Sequence, residues 1–127
     1  MKNREIKFRV WDKKNLEMKD ISAIWFKYDE GPDWVHLVDG EKKGLTKSED
    51  VVLMQYTGLK DRNGVEIYEG DIMGYKDDVM GYVFYEKDGY LVGEGKYTSE
   101  PLAKMCISHD IDVIGTFYEN PELLNEK

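Results

Sequence analysis

Asp61-Arg62-Asn63-Gly64 is the stretch that most narrows what this chain can fold into. It lies between two β-rich runs, Val51–Tyr56 and Val65–Tyr68. Asn-Gly readily adopts the left-handed backbone of a tight turn, so two such runs around it read as a hairpin. The same reading extends to the start of the chain. Ile6, Phe8 and Val10 alternate with Lys7, Arg9 and Trp11, the period-2 pattern of a half-exposed strand. A polar turn over Asp12–Asn15 leads to a second strand at Leu16–Met18.

Further strands are expected at Ile21–Tyr28, Trp34–Val38, Val79–Tyr85, Tyr90–Val92 and Ile111–Tyr118. Gly31-Pro32-Asp33, Asp39-Gly40 and Lys87-Asp88-Gly89 punctuate them. Residues 40–50 are polar, with room for one helical turn capped by Thr46 or Ser48. Gly70-Asp71 before Ile72 suits the entry to a small barrel strand, where the aspartate bonds local backbone N–H groups. Gly81, inside a strand, suggests a bulge or a barrel corner. Pro101 to Ile107 reads as a short helix or, almost equally, as an extended segment, and a short helix is expected after Asn120-Pro121. The expected fold is mostly β. An N-terminal hairpin and strand region, 1–50, packs on a C-terminal SH3-like small barrel, 51–127, in one compact unit with short helical segments.

Composition removes several classes of function. Residues 1–18 carry six Lys and Arg against three Asp and Glu; residues 19–127 carry twelve against twenty-three, a balance of −11. Such a body repels phosphate backbones, so nucleic acid is a disfavoured partner and a basic one a favoured partner. The same charge also serves plain solubility. With one cysteine, Cys106, no intramolecular disulfide forms, which fits a reducing cytoplasm. The N-terminus lacks the continuous apolar stretch of a signal peptide, and no apolar run is long enough to span a bilayer. The expected location is the cytoplasm, with no membrane partner.

Chemistry-bearing residues are few. Cys106 and His109 have C-x-x-H spacing, but the other histidine, His36, is distant and there is no second cysteine. Zinc wants three or four protein ligands, and a cysteine nucleophile wants a base and an orienting group, a role open to Asp110 or Asp112. A buried, inert cysteine beside a loop histidine is the simpler account. Asp29-Glu30, Glu49-Asp50 and Asp77-Asp78 lack the spacing of a calcium loop and read as solvated turns. Gly93-Glu94-Gly95 lacks the lysine and hydroxyl of a phosphate loop. No cofactor, metal or catalytic residue is expected, and the chain is not expected to be an enzyme. Aromatic residues are the stronger signal. Trp11, Trp25, Trp34, Tyr56, Tyr68, Tyr82, Tyr85, Tyr90 and Tyr97 are too many to bury completely in so small a core, and Tyr and Trp are enriched at interfaces. Trp11, Tyr56 and Tyr68, with Arg62 on the hairpin tip, are the candidate interaction residues.

Arg4–Met18 (REIKFRVWDKKNLEM), Gln55–Ile72 (QYTGLKDRNGVEIYEGDI) and Ile111–Leu124 (IDVIGTFYENPELL) resemble the YopX family of phage-encoded proteins. The second stretch is the most specific, and 19–50 and 73–110 do not match. The resemblance implies a β-rich fold with an SH3-type C-terminal region and a phage or prophage origin. It brings no catalytic or binding residue to transfer. The expected function is a non-enzymatic protein-interaction module that binds a host or phage protein, or a second copy of itself. The alternative is a nucleic-acid-associated protein, or an acidic mimic of nucleic acid acting on a host enzyme.

Overall fold

The structure, a computed structural model, describes residues 5–27, 31–39, 42–87, 89–93 and 99–125, with side chains placed for all of these except 25–27, 31–39, 42–45, 48 and 125. The chain divides into two compact units: Lys7–Gln55, and Tyr56–Lys127 with Met1–Ile6. The sequence suggests a division at 50/51; contacts place it at 55/56, inside a strand.

In the N-terminal unit, β1 (Phe8–Asp12) and β2 (Glu17–Lys27) form the expected hairpin, with Asp12 opposite Glu17 at its end. β3 (Gly31–Asp39) and β4 (Lys42–Lys47) extend the sheet beyond β2. The first residues of β5 (Val51–Lys60) pair with β1 on the other side, from Phe8 opposite Gln55 to Asp12 opposite Val51. Three expectations change here. The strands expected at Leu16–Met18 and Ile21–Tyr28 are one strand, β2, because the β3 ladder continues past a register shift between Ile21 and Ala23; Tyr28 lies outside the described residues. Gly31 and Pro32 begin β3 rather than punctuating the chain, since a proline at a strand's start removes no needed donor. The polar 40–50 stretch, of which 40 and 41 lie outside the described residues, is strand β4 over Lys42–Lys47, and the single helical turn expected in it is the 3-10 turn at Ser48–Asp50. Its lysines are the residues that sheet edges tolerate. The described interior of this unit is small: Val10 and Val51, with Ile21 and Leu53 packed against them.

In the C-terminal unit, the second half of β5 pairs with β6 (Glu66–Tyr68) around Asp61–Gly64, as expected. A second antiparallel sheet runs in the order β10-β9-β8-β7-β11, made from β7 (Asp71–Tyr75), β8 (Asp78–Glu86), β9 (Gly89–Gly93), β10 (Glu100–Pro101) and β11 (Ile111–Thr116). Among the described residues no pairing closes this sheet, so the expected SH3-like barrel is not seen; the observed element is an open sheet. A larger core fills the unit: Ile67, Met73, Val83, Val92, Leu102, Met105 and Ile111 are all buried together. Each such side chain contributes roughly 1.5–3 kcal/mol. Leu102 and Met105 come from α1 (Leu102–Ser108), which starts after Pro101; the proline pairs with Leu91 instead of opening the helix. A second short helix, α2 (Glu122–Asn125), follows β11.

Gly81 justifies its place in β8. Its φ is +127°, and a Cβ there would lie 2.5 Å from the backbone of Gly93. Only glycine lets β8 and β9 approach so closely.

Candidate functional site

The hairpin tip is a clasp. Asp61 is buried, and its Oδ1 accepts from the backbone N–H of Asn63 (2.8 Å) and of Val65 (2.9 Å). Its Oδ2 accepts from the N–H of Val113 on β11 at 3.0 Å. The Arg62 N–H donates to the Ile111 carbonyl. Above these bonds, Arg62 Nε and Asn63 Nδ2 both donate to Asp112 Oδ1, at 2.8 and 2.9 Å. That bond to Asp112 raises the Arg62 pKa above its ordinary value. Backbone groups on the outer edge of β11 are thus occupied by the tip, which protects the edge from pairing with another chain. Arg62, expected as a recognition residue, is exposed and engaged by Asp112.

The Gly-Asp and Gly-Thr pairs of the matched stretches are also structural. Asp71 is buried and its Oδ2 accepts from the Tyr68 N–H at 2.8 Å, as expected for an aspartate at a strand entry. Thr116 and Asn120 tie down the end of β11: Asn120 Oδ1 accepts from the Thr116 N–H, and Glu119 N–H donates to Thr116 Oγ1. A Cβ on Gly115 would meet that Asn120 oxygen at 2.6 Å.

In the N-terminal unit, Asp12, Lys14, Asn15, Thr46, Lys47, Glu49 and Asp50 line a cleft of about 380 Å³. Most of its charges hold one another. Asp12 takes the N–H groups of Lys14 and Asn15 on Oδ1, and the Asn15 amide and Lys19 ammonium on Oδ2. Burial alone would push the Asp12 carboxyl up; the bonds from Asn15, Lys19 and Lys14 outweigh it and bring its pKa down to about 2. Lys14 reaches Asp50 at 3.3 Å, and Lys13 donates to the Glu49 carbonyl. The cleft is the seam where the β1–β2 turn is fastened to the residues preceding β5.

Cys106 and His109 do not form a site. Burial, with Asp61 next, pushes the Cys106 thiol up, the opposite of what a nucleophile needs. His109 packs edge-on against Tyr75, with ring centroids 4.8 Å apart, and its Nδ1 lies 2.7 Å from Ser108 Oγ. Asp112 serves Arg62 and Asn63. Among the described residues no group of three His, Cys, Asp or Glu is placed to hold a metal. The Glu49-Asp50 pair belongs to the cleft; Asp77 lies in an exposed turn and Asp78 is the exposed first residue of β8. Asp29, Glu30, Glu94 and Gly95, the His36 side chain, and the side chains of Trp25, Trp34 and Tyr97 lie outside the described residues.

Of the aromatic candidates, Tyr56 and Tyr68 come together, with ring centroids 5.4 Å apart, but Tyr56 is buried and acts as packing rather than surface. Trp11 is half-buried in β1. Tyr85 and Tyr90 meet edge-on across β8 and β9, with ring centroids 5.1 Å apart.

A longer row of rings joins β8 to the residues after β11. Tyr82 lies 5.5 Å from Phe84 and 5.0 Å from Phe117, and Phe117 lies 5.2 Å from Tyr118. Val83 points into the core, so Tyr82 and Phe84 share the opposite face of β8. Phe117 is 39% exposed, and the other three rings are half-buried. Its backbone N–H is fixed on the Gly70 carbonyl at 2.7 Å. Burial, then Tyr82 and Glu69, raise the Tyr118 phenol's pKa, so it stays protonated. Sequence reading picked out Tyr82 alone. The period-2 spacing of Tyr82 and Phe84 was a visible signal, but no local pattern brings Phe117 beside them.

No helix among the described residues is long and apolar enough to cross a membrane. No curated protein matches the chain. Its backbone is similar to the crystal structure of protein EF1440 from Enterococcus faecalis, with a TM-score of 0.66 and 25% identity over 96% of this chain and 99% of that one. The model of the YopX protein family matches residues 7–125, which include most of the first resembling stretch and all of the second and third. The chain belongs to the YopX family.

Proposed function

We propose that the protein is a non-enzymatic interaction module that acts by binding another protein. The row Phe84–Tyr82–Phe117–Tyr118 carries this reading: four adjoining rings, two on one face of β8 and two in the turn after β11, partly open to solvent. Aromatic side chains bury much area at little entropic cost, so they anchor interfaces. The groups with catalytic potential support the same reading. Asp61, Asp71 and Asp12 hold backbone N–H groups, and the Cys106 thiol is shifted away from reactivity. Family membership supports a phage or prophage origin and action in the host cytoplasm. In this reading the C-terminal unit is an SH3-type sheet left open on one side.

The test is affinity capture from a lysate of the natural host, with and without nuclease. The expected outcome is one defined protein retained in both arms. Retention lost on nuclease treatment would favour nucleic-acid association instead. Turnover of a substrate by the purified protein would replace the module reading with an enzyme.

A further inference from the structure

We infer that the Phe84–Tyr82–Phe117–Tyr118 row is a docking platform for a basic protein segment, one that presents arginine or lysine beside an apolar side chain. The inference rests on the interaction-module reading and adds the place and the partner's chemistry. Charge supports it first. Residues 56–127 hold seven Lys and Arg against fifteen Asp and Glu, and Met1–Ile6 add two against one, so the unit carrying the row has a net charge of −7. Acidic side chains adjoin the rings. The β8–β9 register is unbroken from Tyr82 to Glu86, so Glu86 follows Tyr82 and Phe84 on the same face. Glu69 is near enough to act on the Tyr118 phenol.

Ring geometry supports it next. Tyr82 is tilted 49° to Phe84 and 56° to Phe117, so neither pair closes into a face-to-face stack. A ring face attracts a cation, guanidinium above all, and a neighbouring carboxylate adds to that attraction. Nucleotide bases also stack on such rings, but here their phosphates would meet the acidic unit.

The experiment selects a random peptide display library on the intact protein and on two variants, Tyr82→Ala/Phe117→Ala and Glu69→Gln/Glu86→Gln. Circular dichroism and unfolding midpoints establish that each variant is folded. Peptides selected on the wild type are expected to be rich in Arg or Lys with an aromatic or aliphatic neighbour. Their affinity is expected to fall about tenfold or more on the ring variant and to weaken with salt; the carboxylate variant keeps the rings and loses the basic preference. Acidic or uncharged selected peptides, no selected peptides, or equal binding to the ring variant would each overturn the platform. A parallel titration with labelled oligothymidine is expected to show no binding; binding lost in the ring variant would assign the row to single-stranded nucleic acid. The host-lysate capture separates the two levels: if the ring variant still captures the same host protein, the platform falls and the module reading stands.

Discussion

The two units of this chain differ more in charge and interior than in secondary structure. Residues 7–55 hold nine Lys and Arg against ten Asp and Glu, close to neutrality, whereas 56–127 hold seven against fifteen. A division of the charge at residue 18 hides this, because the boundary that matters lies inside β5. Their interiors differ in the same sense. The described core of the N-terminal unit centres on Val10 and Val51, while the C-terminal unit buries seven apolar side chains together. Net charge works against compactness. A unit with a larger core can sustain a one-signed surface. The N-terminal unit relies on long ladders and on a fastened turn.

The largest expected effect is in the larger core. Ile67→Ala removes a side chain that is fully buried and should cost about 4 kcal/mol. Urea unfolding followed by circular dichroism measures it. Tryptophan fluorescence adds a second reading, because Trp11, Trp25 and Trp34 all lie in residues 7–55. An equal shift of the tryptophan transition would make β5 the spine of one cooperative block, and the contrast between interiors would lose its energetic meaning.

Next is the clasp. Asp61→Ala leaves the N–H groups of Asn63, Val65 and Val113 without their carboxylate and should cost about 3 kcal/mol. Amide hydrogen exchange should rise most at Val113, on the β11 edge. Unchanged exchange there would mean that the hairpin tip does not guard that edge.

These residues also mark how much was legible. The hairpin at Asp61–Gly64, the strand entry at Gly70-Asp71 and the special backbone at Gly81 were readable, because each answers a local backbone demand that few residue types meet. The polar clasp between Asp61 and Val113 was not, since its partners are 52 residues apart. Strand lengths in the N-terminal unit were misread for a related reason: Pro32 and the β4 lysines look like loop residues until a neighbouring ladder pairs with them. The ring row escaped in part because Phe117 meets Tyr82 only through the fold. Closure into a barrel is likewise a long-range property that turn residues do not encode.

A smaller effect separates the units by pH. In the folded protein the Asp12 pKa is about 2, below its ordinary 3.8. The folded state therefore favours the carboxylate form. The resulting stabilisation, about 2 kcal/mol, is fully present well above pH 4 and is lost as pH falls from about 4 to about 2. Asp12→Asn should lower the tryptophan-monitored midpoint near neutral pH, and the gap between the variant and the wild type should narrow as pH drops through that window. A gap that stays constant with pH would show that Asp12 acts through shape alone.

The smallest expected effect is at Arg62, and it is informative because the sequence makes this residue the most conspicuous on the hairpin tip. Its guanidinium is exposed, and the bond from Nε to Asp112 competes with water on both sides. Asp61 holds the turn by backbone bonds that do not involve the Arg62 side chain. Arg62→Ala should therefore leave the unfolding midpoint unchanged within error, and peptides selected on the ring row should bind the variant as they bind the wild type. A large loss of stability would make the Arg62–Asp112 pair part of the clasp. Loss of binding with stability intact would move the recognition surface from the rings to the hairpin tip, in the same acidic unit but on a different element.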